Sequence, residues 1–179
     1  MTTTIRRLRR DDAAALCSLR NANRDFLEPW QPVRPDRFFT RAGQRSWIAG
    51  LLAGARSGTT EPQVILSDGV PIGQLTLSNI VRANFYSCNV GYWVAQAHTG
   101  RGHATAAVAQ ACALAFDQLG MHRIEAGTLP HNTASQRVLE KNGFTRFGLA
   151  PGYLLIAGRW QDHVLFQRLR DAQAPGEAS

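Results

Sequence analysis

Lysine is almost missing from this chain: of its 20 basic residues only Lys141 is not arginine. Cysteine is scarce as well. Cys17, Cys88 and Cys112 stand far apart with no Cys-x-x-Cys pair, which excludes a disulfide framework or a zinc ribbon and leaves buried, reduced thiols as the expectation. No other ligand spacing suggests a metal site. No apolar run approaches the roughly 20 residues of a membrane span. The start, Met-Thr-Thr-Thr-Ile-Arg-Arg, lacks the apolar segment of a secretory signal. A cytoplasmic protein without membrane attachment is therefore expected. There is no Gly-x-Gly-x-x-Gly, because Thr105 stands where the third glycine would fall, and no Gly-Lys-Ser/Thr. These absences argue against a dinucleotide-binding fold and a P-loop hydrolase. The net charge of +7 is spread along the chain, apart from Arg6, Arg7, Arg9 and Arg10. A dedicated nucleic-acid binder more often carries a basic patch interleaved with aromatics, so direct nucleic-acid binding is not expected.

What is present centres on Gly91 to Leu119. An apolar strand end (Val90, Tyr92, Val94) runs into a loop bearing Gly100 and Gly102, and the loop opens an alanine-rich helix with no formal charge from Ala104 to Phe116. Two glycines let the backbone approach a bound group and turn its N–H groups outward. The first helical turn adds unpaired donors and the positive end of the helix dipole. Together they suit an anion, phosphate above all.

The 179 residues suffice for one domain, burying about 70% of the extended chain's surface. Ile5 to Leu8 reads as a strand, followed by a helix capped by Asp11 or Asp12. Three prolines between Asn23 and Arg37 (Pro29, Pro32, Pro35) predict an irregular stretch. Its large apolar groups, Phe26, Leu27, Trp30 and Val33, serve either the core or the wall of a site. Thr40 to Ala55 reads as a second helix. Gln63 to Leu66, Asp68-Gly69 and Ile72 to Leu77 form a hairpin. A strand from Phe85 to Val94, the glycine loop and its helix, and a strand from Arg123 to Leu129 follow. Asn132 then caps a helix from Thr133 to Asn142, closed by Gly143. Two strands, Arg146 to Ile156 and Trp160 to Arg168, turn at Ala157-Gly158. The expectation is one α+β domain over 1–170, with helices on both faces of a mixed sheet, and a disordered tail over 171–179.

Within this order, Gly91 to Phe144 resembles the GNAT superfamily of acyl-CoA-dependent N-acyltransferases. That family's loop pattern, Gln/Arg-x-x-Gly-x-Gly/Ala, meets Thr99-Gly100-Arg101-Gly102-His103-Ala104 here. The glycine and alanine positions match, and Thr99 departs at the head. The stretches Asn84 to Tyr92, Met121 to Ile124, Pro130 to Ser135, Tyr153 to His163 and Glu28 to Arg34 are similar to the RimJ branch, the ribosomal-protein-alanine N-acetyltransferases. The resemblance implies a mostly antiparallel sheet splayed at the cofactor site. It implies acetyl-CoA as cosubstrate, no metal, and direct attack of an amine on the thioester in a ternary complex.

The resemblance also implies roles. The backbone from Gly100 through Arg101, Gly102, His103 and Ala104 to Thr105 would cradle the pyrophosphate. The pantetheine would lie between splayed strands near Trp93, Val94 and Ala95 and near Gly127, with Asn132 reaching it. A backbone N–H near Val94 would face the oxyanion. Many relatives place a tyrosine seven residues after the Asn, where this chain has Leu139; Ser135 matches the serine that the RimJ branch puts near the sulfur. Several relatives place a glutamate where this chain has Asn89, so an ordered water aided by Glu125 or His122 would remove the amine proton. An α-amine with a pKa of about 7.7–8.0 loses a proton more cheaply than a lysine at about 10.4. The acceptor implied is therefore a protein N-terminus, possibly ribosomal, with Phe26, Trp30, Tyr153 and Trp160 as candidate walls. A small-molecule amine, or a non-catalytic module that binds acyl-CoA or a ribosomal partner, stays open at this level, as does monomer or homodimer.

Overall fold

The computed structural model describes residues 2–170. The tail expected to be disordered, 171–179, lies outside the described residues. Seven strands form one sheet: β1 (Thr3–Arg7), β2 (Glu61–Ser67), β3 (Val70–Val81), β4 (Ser87–Val94), β5 (Arg123–Thr128), β6 (Thr145–Ile156) and β7 (Arg159–Leu169). Their order is β1-β2-β3-β4-β5-β7-β6. Every pairing is antiparallel except β4 with β5, which run parallel.

That parallel pairing is short. Ser87 to Asn89 pair with Arg123 to Glu125, and then the strands part, β4 running on to Val94 and β5 to Thr128. The result is a V-shaped opening in the middle of the sheet, as the family resemblance implies. Elsewhere the antiparallel pairing continues, with local register shifts in β2–β3, β3–β4 and β6–β7, and apolar side chains lie on both faces. In β2, Ile65 joins the core on one face while Val64 and Leu66 join the other, the period-2 alternation of a strand covered on both sides.

Among the described residues there are five α-helices, besides short 3-10 and π-helical segments: α1 (Ala13–Ala22), α2 (Arg24–Leu27), α3 (Arg41–Arg56), α4 (His103–Ala113) and α5 (Thr133–Lys141). Ala13, Leu16 and Ile48 put α1 and α3 on the face of Val64 and Leu66. Ala107, Val108, Ala111 and Leu139 put α4 and α5 on the other. The small side chains of α4 let it sit close to the sheet. Its one inward amide also secures the sheet's edge: Gln110 accepts the N–H of Ile5 (3.0 Å) and donates to the carbonyl of Thr3 (2.9 Å).

Local signals account for most boundaries. Thr40 accepts the Gly43 N–H at 3.0 Å and starts α3. Asn132 accepts the Ser135 N–H at 3.1 Å and starts α5. The end of α5 is a left-handed Gly143 with the Phe144 N–H returning to Leu139. Two expectations are corrected. Asp12 makes no side-chain cap to α1; its carboxylate takes the Arg6 guanidinium (2.6 and 2.8 Å) and the Arg9 N–H (2.7 Å). The stretch after Asn23 is not wholly irregular: Arg24 to Leu27 form a helical turn, and a 3-10 turn over Glu28 to Trp30 follows with Pro29 in its first turn.

Candidate functional site

The site grows from the mouth of the V. At the end of β4 the Ala95 N–H is bonded to the Ile72 carbonyl (2.8 Å). Alternation along the strand then turns the Val94 N–H away from β3, towards the opening. Opposite Val94, β3 carries Gly73, where an added Cβ would run into the Trp93 carbonyl oxygen. The indole of Trp93 is braced from behind by Arg20, whose guanidinium lies 4.6 Å from the ring and donates to Gln74 (2.9 Å). Burial, then the charge of Arg34, lowers the Arg20 pKa to about 10, so it stays charged at neutral pH.

The loop after β4 is held by polar side chains, one from the end of α1 and one of its own. Asn23 accepts the Gln96 N–H (2.8 Å), and the Thr99 hydroxyl donates to the Gln96 carbonyl (2.8 Å). Thr99 thus spends its side chain on the loop. Gly100 and Gly102 both have positive φ, +72° and +83°, and an added Cβ on either would meet nothing within 4 Å. Open space on a left-handed backbone at the start of α4 is what a closely approaching ligand requires. The His103 side chain turns inward instead, with Nδ1 2.8 Å from the Thr3 hydroxyl. Burial, with His98 and Arg101 nearby, holds its pKa below the ordinary histidine value. His103 therefore offers a ligand its backbone rather than its ring.

A cleft of about 520 Å³ fills this side of the V. Trp93, Val94, Gly100, Gly102, His103, Ala104, Thr105, Asn132 and Ser135 line it, whereas Ala95 and Arg101 do not. Sequence reasoning missed two cations in the lining, Arg137 and Lys141. They lie four residues apart on α5 and so share a face; that spacing was the available signal. The Asn142 amide donates to the Thr105 carbonyl (3.2 Å) and ties α5 to α4. Phosphates at the glycine loop would meet amide donors from one helix and cations from the other.

A second cavity, about 260 Å³, opens on the side of β5, β6 and β7. It shares Trp30, Tyr92, Asn132 and Ser135 with the first. At this junction the Ser135 Oγ and Tyr92 hydroxyl are 2.9 Å apart. Burial, partly offset by the bond to Ser135, pushes the Tyr92 pKa up to about 12, so the phenol keeps its proton. Tyr92 reads in sequence as one apolar position of a strand. Only the splay of β4 from β5 brings it to α5.

The other expected residues divide. Trp30 lines both cavities and lies 5.4 Å from the His131 ring. Phe26 lines only the larger, cofactor-side cleft. The proline-rich loop does meet the last hairpin, where the Ala157 N–H donates to the Gln31 carbonyl (3.0 Å). Tyr153 packs on His163 at 5.6 Å. Trp160, 68% exposed, lines neither cavity. Glu125 sits at the closed end of the V beside Asn89 and pairs with Arg123 (3.3 Å). His122 precedes β5, its N–H bonded to the Tyr86 carbonyl (2.8 Å). Neither lines either of these two cavities. All three cysteines are free and buried; burial drives the Cys88 pKa to about 12 and raises that of Cys112, so neither of these two offers a thiolate. Among the described residues no group of three or more His, Cys, Asp or Glu could hold a metal, and no helix is long and apolar enough to cross a membrane.

Known proteins share this arrangement. The family model for the acetyltransferase (GNAT) domain matches residues 3–145. The chain is 37% identical over 164 residues to the probable N-acetyltransferase YjcK of Bacillus subtilis, covering 90% of this chain and 91% of that protein. It is 32% identical over 167 residues to the [ribosomal protein uS5]-alanine N-acetyltransferase of Escherichia coli, covering 92% and 86%. Among solved structures, Mycobacterium smegmatis RimJ in complex with CoA-disulfide superposes with a TM-score of 0.91 at 39% identity, over 93% of this chain and 81% of that one. The splayed sheet, the glycine loop at the head of α4 and these matches agree: the chain belongs to the GNAT acetyltransferase family and is an acetyl-CoA-dependent, RimJ-like N-acetyltransferase.

Proposed function

We propose that this enzyme transfers acetyl to the N-terminal α-amine of a protein, a ribosomal protein in the first instance, by direct attack within a ternary complex. The observation that carries the reading is the meeting of the two cavities at the Tyr92–Ser135 hydroxyl pair. Cofactor enters from the side of α4 and α5. The acceptor enters from the side of β5, β6 and β7. The thioester lies at the junction, its carbonyl oxygen towards the Val94 N–H and its sulfur towards Ser135.

The magnitudes shape the role of the hydroxyl pair. A thiol has a pKa near 8.5, so full proton transfer from a phenol at about 12 runs uphill by about 5 kcal/mol. Tyr92 therefore holds and polarises Ser135, and Ser135 donates to the departing sulfur. The proton that finally reaches the thiolate comes from the attacking nitrogen, which becomes strongly acidic once bonded to the carbonyl carbon.

Two features support a protein N-terminus over a polyamine or amino sugar. No carboxylate lines the acceptor-side cavity, whereas a polycation would want several. The relative from Escherichia coli is itself named for modifying an alanine of ribosomal protein uS5. A pair of peptides tests the reading. Identical sequences beginning with alanine, each with one internal lysine, should be acetylated when the N-terminus is free. Activity should fall at least about 100-fold when it is blocked. Equal rates on both would move the acceptor to the lysine side chain.

A further inference from the structure

We propose that His163 is the general base of this enzyme, taking the proton of the acceptor ammonium on Nε2. The inference rests on amine acetylation itself and not on which amine is the natural acceptor. His163 lies on β7 and is 4% exposed. It is one of the residues lining the acceptor-side cavity, together with Tyr92 and Ser135. Gly127 on β5 lies across the ladder from it: a Cβ there would be in van der Waals contact with the His163 Cδ2 at 3.4 Å.

The hydrogen bonding sets the tautomer. His163 Nδ1 is 3.0 Å from the Gln161 carbonyl oxygen. A carbonyl can only accept, so Nδ1 carries the hydrogen and donates. In the neutral ring Nε2 then bears the lone pair. Among the described residues nothing pairs with that nitrogen. A histidine in this state is a ready proton acceptor, and the bond at Nδ1 steadies the imidazolium that forms.

The surroundings leave no rival. Of the residues lining this cavity only Tyr92 and His163 carry an ionisable side chain, and the Tyr92 hydroxyl is engaged with Ser135. The groups facing His163 are uncharged: the Tyr153 ring from β6 at 5.6 Å, Gly127 from β5, and Tyr92 from β4 across the cavity. Asp162, its neighbour in sequence, is exposed and accepts the Gly152 N–H (2.8 Å). His131 lies beyond, against Trp30. Thr128, whose Oγ1 is buried without a partner, also borders this cavity, but it pairs with Val164 and so projects from the face of the sheet opposite to His163.

The step balances without a further reactant. One ammonium proton passes to Nε2, and the freed lone pair attacks the thioester carbonyl carbon. The C–N bond forms, the C–S bond breaks, and the sulfur leaves with the electron pair. The second nitrogen proton goes to the thiolate, and the imidazolium returns its proton to water.

Two measurements decide, using whichever amine the wild type acetylates, peptide or small molecule. His163→Gln is expected to lower kcat about 100-fold at pH 7 with the acetyl-CoA Kd changed less than about twofold. The deficit should shrink as pH passes the acceptor's own pKa, because a free amine needs no base. A loss under about threefold, or one equally large at all pH values, overturns the proposal. Should the variant not fold, 15N NMR of the wild-type imidazole decides alone. A neutral ring protonated on Nδ1 and bare on Nε2 supports the base; the opposite tautomer overturns it.

Discussion

Gly102→Val is expected to lower acetyl-CoA affinity at least about 100-fold while the protein still folds. Gly102 sits at φ +83° with nothing within 4 Å of the position of a Cβ, so the Cβ of the valine meets no protein atom. Its cost has two parts. A left-handed conformation costs an L-residue about 1–2 kcal/mol and a β-branched one more, so the loop relaxes towards another backbone shape. The added methyls then occupy the space where a pyrophosphate would meet the first amides of α4. Tenfold in affinity is about 1.4 kcal/mol, and losing two amide–phosphate hydrogen bonds at about 1.5–3 kcal/mol each more than covers a hundredfold. Titration calorimetry checks this, with Thr99→Ala as the contrast. That substitution should change affinity less than about threefold, because the Thr99 hydroxyl is bonded to Gln96. Retained affinity in the valine variant would mean the loop is not the cradle.

The second large effect belongs to the junction of the cavities. Ser135→Ala should reduce kcat at least tenfold, and Tyr92→Phe by a similar factor, with acetyl-CoA affinity nearly constant in both. The double variant should be little worse than either single one. The two hydroxyls act as one unit, 2.9 Å apart, and residues in one network do not add. Stopped-flow turnover of the three variants gives the coupling directly. Unchanged turnover in Ser135→Ala would remove Ser135 from the reaction. Fully additive losses would mean that the hydroxyls work separately.

Both positions were unequally visible in the sequence, for a physical reason. Gly100, Gly102, the Asn132 cap and the Gly143 stop are local signals, written in the residues that adopt the turn. The same is true of the Ala157-Gly158 hairpin, where both residues take positive φ, +49° and +79°, as a two-residue turn demands. These elements and the family were therefore legible, as were most of the residues that line the larger cleft. Tyr92 was not, because its meeting with Ser135 depends on β4 leaving β5 after Asn89, a long-range event with no local mark. His163 was hidden by register. Irregular pairing between Ala150 and Leu154 sets which β6 side chains face β7, and with them the Tyr153 contact. The acidity of Glu125 is visible in the sequence; its position at the closed end of the V, against Arg123, is not. Asp12 likewise read as a cap, but a cap competes with any cation that folding brings near, and Arg6 prevails.

The central claim is transfer of acetyl to a protein α-amine, and one measurement addresses it most directly. Purified enzyme would be incubated with isotopically labelled acetyl-CoA and unmodified ribosomal proteins, and the label located by mass spectrometry. The account predicts label on the N-terminal residue of one or a few proteins and none on lysine side chains. Label on lysines alone, or no labelled protein beside rapid acetylation of a small amine, would contradict it.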